Sequence, residues 1–84
     1  MAEIDAIQVY ARIVELIGDF NKKNVPILPS TSFATDLAFD SLTVMDLVAA
    51  MEDEWDIIIP LNLLPDLETV QQVADAVTRI ASEK

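Results

Sequence analysis

Ser41-Leu42-Thr43-Val44-Met45-Asp46-Leu47-Val48-Ala49-Ala50-Met51-Glu52-Asp53-Glu54-Trp55 is the stretch whose periodicity decides the fold. At roughly 100° per residue, Val44, Leu47, Val48, Met51 and Trp55 share one apolar stripe. That stripe predicts a helix from Ser41 to Trp55 or Asp56, and Ser41 can cap its first turn. Leu42, Met45 and Ala49 make a second stripe well away from the first, with Asp46 and Asp53 on one side and Glu52 and Asp56 on the other. A bundle helix needs only one buried face. An apolar strip between carboxylates fits a docking surface: its area supplies affinity, and its charge steers a basic partner. Ten acidic residues and no basic one stand between Lys23 and Arg79, whereas a purely solvated face usually mixes signs.

On the N-terminal side, Pro26, Pro29 and the run Ser30-Thr31-Ser32 predict an irregular stretch from Asn21 to Asp40. A loop of that length needs pinning, and Val25, Ile27, Leu28, Phe33 and Leu37 are the expected pins. Before it, Ile4 to Phe20 alternates with helical spacing. Ile7, Tyr10, Ile13, Val14, Ile17 and Phe20 oppose Asp5, Gln8, Arg12, Glu15 and Asp19. On the C-terminal side, Pro60 is a stop, and Leu61 to Pro65 reads as one short helical turn or a loop. A last helix is predicted from Thr69 to Ala81, with Val70, Val73, Ala74, Val77 and Ile80 on its inner face. The expected architecture is all-α: one domain over residues 1–84, a small antiparallel four-helix bundle of three main helices and a short one.

Composition narrows the function. The 84 residues carry a net charge of −10, which disfavours nucleic acid and anionic membranes, since both require a basic patch. Cysteine and histidine are absent, so disulfides, thiolate or imidazole zinc sites and imidazole-base mechanisms are excluded. A hydrophobic fraction of 52% predicts a folded chain, and a single glycine disfavours hairpin-rich sheets. No apolar run reaches the length of a membrane span, and the acidic N-terminus lacks a signal pattern. The expectation is a cytoplasmic monomer.

Ser41 is the residue with chemical promise. As a nucleophile it would need a base, and the nearest lysines, Lys22 and Lys23, precede the long loop. Catalysis by this chain is therefore disfavoured. A serine at a helix start is nonetheless exposed, and the helix N-terminus favours an anion there, which suits a phosphate ester. Asp40, Asp46, Glu52 and Asp53 lack the spacing of a calcium loop, so no metal site is expected.

Asp40-Ser41-Leu42, the acidic helix ending Glu52-Asp53-Glu54-Trp55-Asp56, the following Ile59-Pro60 and Thr69-Val70 together resemble the acyl carrier protein family, from Ile7 through the last helix. The three-residue motif alone means little; the combination is specific. The resemblance implies a discrete, non-enzymatic carrier, a phosphoprotein of fatty-acid or specialised lipid biosynthesis. Ser41, flanked by Asp40 and Leu42, would receive 4′-phosphopantetheine from coenzyme A through a phosphopantetheinyl transferase. Leu42, Met45, Asp46, Ala49, Glu52 and Asp53, with Asp40, would dock basic-surfaced acyl-transfer or synthase enzymes. The alternatives are a polyketide, peptidyl or aminoacyl carrier, or an acidic helical interaction module without a prosthetic group.

Two features depart from the family pattern. Ala38 stands where a glycine is usual; if that position needs φ > 0, alanine costs about 1–2 kcal/mol, and the expectation is an adjusted loop. The segment after the acidic helix is unusually apolar. Ile57, Ile58, Leu61, Leu63 and Leu64 are candidates for an acyl-chain cavity or an exposed partner patch, while Ile59 beside Pro60 is expected in the core.

Overall fold

Asp5 opens the first helix, its carboxylate accepting the Ile7 N–H at 2.9 Å. Helix α1 runs over Ala6–Gly18 and buries Val9, Ile13, Leu16 and Ile17 at helical spacing. The computed structural model describes residues 5–21 and 25–83, so Ile4, Lys22 and Lys23 lie outside the described residues. Ile7 departs from its expected place on the inner face: two residues past the cap, it is 79% exposed.

Helix α2 covers Ser41–Trp55 and buries Leu47, Val48 and Met51. A six-residue 3-10 helix, Leu61–Asp66, fills the place of the short fourth helix and contains Pro65. Helix α3 spans Val70–Ser82 and buries Val70, Val73, Ala74, Ala76, Val77 and Ala81. Its small β-branched and alanine side chains let α1 approach closely, and α1 packs against both α3 and α2. Ile13, Ile17, Leu47, Met51, Val70 and Val77 form the driest part of the core. At the surface, Arg12 of α1 donates to Glu54 near the end of α2 at 2.9 Å. The Glu54 hydrogen bond raises the guanidinium further above its ordinary value, and Arg12 holds the Glu54 carboxyl below its own.

The described part of the long loop is pinned by backbone bonds as well as by apolar anchors. Phe33 and Leu37 are buried and Val25 and Ile27 half-buried, but Leu28 faces outward. Leu28 contributes through its backbone: its N–H donates to Thr31 Oγ1 at 2.8 Å. Thr31 is itself buried and donates to the Pro26 carbonyl at 3.4 Å. The loop is then stitched to the start of α3. Phe33 N–H donates to the Glu68 carbonyl, Val70 N–H to that of Thr31 and Gln71 N–H to that of Pro29, all at 3.0–3.1 Å. These bonds satisfy two orphan amides of the α3 first turn. A capping box completes that turn: Thr69 Oγ1 accepts from Gln72 N–H at 3.3 Å, and Gln72 Oε1 accepts from Thr69 N–H at 3.0 Å.

Candidate functional site

The approach to α2 is tightly specified. Ala38 takes φ 55°, so the loop does not adjust around the missing glycine; the alanine accepts the left-handed conformation at about 1–2 kcal/mol. Phe39 follows, its N–H donating to the Phe33 carbonyl at 2.8 Å and its ring stacked on that of Phe33 at 6.2 Å between centroids. Asp40, in extended conformation at φ −85°, then accepts the Thr43 N–H at 2.8 Å.

The N-cap of α2 is therefore Asp40, and the expectation that Ser41 caps the helix is corrected. Aspartate and serine are comparable cap formers, so a sequence placing them side by side leaves the choice to backbone geometry. Here the turn at Ala38 brings Asp40 to the non-helical cap position and makes Ser41 the first helical residue. Ser41 is exposed, and among the described residues none takes its hydroxyl in a hydrogen bond. The Thr43 amide holds the Asp40 carboxyl below its ordinary value.

An open groove of about 660 Å³ adjoins Ser41. Phe33 and Phe39 line it from the loop, Val44 and Met45 from α2, and Leu61 and Leu64 from the 3-10 helix. The two phenylalanines and Val44 were not among the sequence candidates. The loop position of Phe33 and Phe39 hid that pair, because their pairing depends on the turn at Ala38, while Val44 was read only as part of the inner stripe of α2.

Around this groove the outer stripe of α2 emerges as expected. Leu42, Met45, Ala49, Asp46 and Asp53 are all exposed. Glu52 differs: it is half-buried, and its carboxylate accepts the Ile59 N–H at 2.8 Å, holding the segment after α2 in place. Asp56 closes α2 with φ 51° and its N–H on the Glu52 carbonyl.

The apolar segment divides. Ile57 is 7% exposed and belongs to the core, which removes it from the cavity or patch candidates; Ile59 is core as expected. Their alternation inward is what an extended strand-like connection after the left-handed cap produces. Ile58 and Leu61 are 81% and 71% exposed. Leu64, half-buried, lines the groove beside Ser41, whereas Leu63 lines a separate hollow shared with Asp75 and Arg79 of α3. Among the described residues no cluster of acidic side chains could hold a metal ion, and no helix is long and apolar enough to cross a membrane.

Ser41 thus places an exposed hydroxyl on the rim of a largely apolar groove. The family model "Phosphopantetheine attachment site" matches residues 11–77. "Acyl carrier protein, mitochondrial" of Saccharomyces cerevisiae is 34% identical over 79 residues, covering 88% of this chain and 63% of the relative. The protein of the same name from Neurospora crassa is 36% identical over 78 residues, covering 90% of this chain and 56% of the relative. "Acyl carrier protein" of Cyanidioschyzon merolae is 45% identical over 49 residues, 58% of this chain and 54% of that protein. The chain thus spans roughly three-fifths of the length of the fungal relatives it matches. With the matched region running from the middle of α1 through most of α3, the chain belongs to the acyl carrier protein family, a family of non-enzymatic carriers whose prosthetic group is 4′-phosphopantetheine.

Proposed function

We propose that Ser41 is the attachment residue and that the chain carries acyl groups for partner enzymes of fatty-acid or specialised lipid biosynthesis. The observation that carries this reading is the exposed, uncommitted Ser41 hydroxyl at the rim of the groove. When attached, the arm supplies a terminal thiol that holds acyl groups as thioesters. The protein's own residues do the rest. Met45, Leu61, Leu64 and the Phe33–Phe39 pair offer an apolar lining, and each methylene taken out of water there gains about 0.8 kcal/mol. Leu42, Met45 and Ala49, between Asp46 and Asp53, form the docking face for basic-surfaced transferases and synthases, where charge speeds encounter and apolar contact prolongs it. Exposed Ile58 and Leu61 extend the apolar character beyond α2. Glu52 contributes charge to this face but is itself held by Ile59.

The fungal relatives carry the word mitochondrial in their names, so the reading extends to an organellar compartment as well as to the cytoplasm expected from the sequence. The decisive experiment is intact mass after incubation with coenzyme A and a phosphopantetheinyl transferase. One added phosphopantetheine is expected on the native chain and none on Ser41→Ala. A native chain that gains no mass, or a Ser41→Ala variant that still gains it, refutes the reading.

A further inference from the structure

We infer that Asp40 is a positioning residue for Ser41: by taking the cap of α2 it fixes the serine as the first helical residue and leaves its hydroxyl free to react. This rests on the reading of Ser41 as attachment residue and goes beyond it by assigning the aspartate a role in the orientation of the nucleophile. Loading requires the Ser41 oxygen to form one bond to phosphorus while the pyrophosphate P–O bond of coenzyme A breaks. Adenosine 3′,5′-bisphosphate leaves, and the serine proton passes to a base of the transferase. A hydroxyl engaged as a helix cap would have its lone pair on a backbone N–H and its torsion locked toward the helix. The Asp40 carboxylate removes that competition by accepting the Thr43 N–H at 2.8 Å.

Asp40 is held in turn from the N-terminal side. Phe39 is anchored by its N–H on the Phe33 carbonyl at 2.8 Å and by the ring stack, directly after the left-handed turn at Ala38. The carboxylate and the aromatic pair thus bracket the entry into α2, and Ser41 emerges at the groove edge with one defined backbone direction. A docking role for the Asp40 charge would make a different demand. It would need the negative charge but not the hydrogen bond, and the two demands can be separated chemically because an asparagine keeps the acceptor oxygen and loses the charge.

The test compares native protein, Asp40→Asn and Asp40→Ala for loading by a phosphopantetheinyl transferase with coenzyme A, at varied carrier concentration to split kcat from KM. Exchange of the Thr43 amide is followed by NMR in the same three proteins. Removal of a cap shifts a helix-end equilibrium by about fivefold, so Asp40→Ala should lose about that factor in kcat and exchange Thr43 faster. Asp40→Asn, an equally good cap, should keep kcat within about twofold and protect Thr43, with any cost of the lost charge confined to KM. A kcat for Asp40→Asn as low as that of Asp40→Ala would overturn the inference in favour of charge, and an unchanged kcat in Asp40→Ala would overturn it outright. If the native chain takes no mass at all, the attachment reading falls and takes this inference with it; loading that is normal in every variant removes only the inference.

Discussion

Helix α3 buries Val70, Val73, Ala74, Ala76, Val77 and Ala81 and closes its first turn with the reciprocal Thr69–Gln72 box. Helix α2, two residues longer, buries Leu47, Val48 and Met51, turns Leu42, Met45 and Ala49 outward and leaves the hydroxyl of its first residue open. In α3 the hydroxyl residue at the start is itself the cap; in α2 an aspartate does that work beside the serine. The contrast separates a helix whose apolar side chains turn inward from one that carries apolar side chains on both faces. The start of α3 satisfies its orphan amides with the Thr69 side chain and with carbonyls of the loop.

The largest test of this contrast lies within α2. Leu47→Ala should destabilise the protein by about 2–5 kcal/mol, because a fully buried leucine leaves a cavity in the core. Leu42→Ala should stay within about 0.5 kcal/mol of the native protein while slowing transferase loading. Urea unfolding followed by the single tryptophan, Trp55, measures both. Equal losses of stability in the two variants would break the division between inner and outer faces.

A smaller effect concerns the turn that delivers Asp40. Ala38→Gly should raise stability by about 0.5–1 kcal/mol, the relief of left-handed strain less the greater unfolded-state entropy of glycine. Thermal unfolding reads the gain, and a lower midpoint would show that the alanine methyl is packed rather than strained.

The smallest effect is one of pH and sharpens the contrast at the ends of α2. Asp40 at its start and Glu54 near its end both have carboxyls held below their ordinary values of 3.8 and 4.5, by the Thr43 amide and by Arg12 respectively. A lowered carboxyl contributes stability that is fully present above its unfolded value and disappears as pH falls through the lower folded one. Acid should therefore loosen the α1–α2 tether in the range below 4.5 and the α2 cap in the range below 3.8, each as its folded carboxyl takes up a proton. Protection of the Thr43 amide, measured against its intrinsic exchange rate at each pH, should fall there, with Asp40→Asn showing a flatter acid limb. An identical acid limb in that variant would contradict the cap as the source.

The three helices, their inner stripes and the outward Leu42, Met45 and Ala49 are legible in the sequence, because helical periodicity is a local property that each side chain reports on its own. Ile59 was legible for the same kind of reason, standing beside a proline that fixes the chain. The placement of Ile57 and Ile58 was not. Two adjacent isoleucines are equivalent until the left-handed cap at Asp56 decides which one points inward.

The sequence by itself determined an acidic all-α domain with Ser41 at the head of a two-faced helix, through apolar spacing, charge run and the motif around the serine. Only the tertiary structure decided that Asp40 rather than Ser41 caps that helix and that Leu28 faces outward. It likewise decided that Glu52 clamps Ile59, and that Phe33 and Phe39 meet beside the serine. The physical reason is common to all four. Each depends on where a non-helical backbone segment turns, and such turns are set by long-range hydrogen bonds and packing, as in the stitching of the loop to α3, that no local pattern encodes.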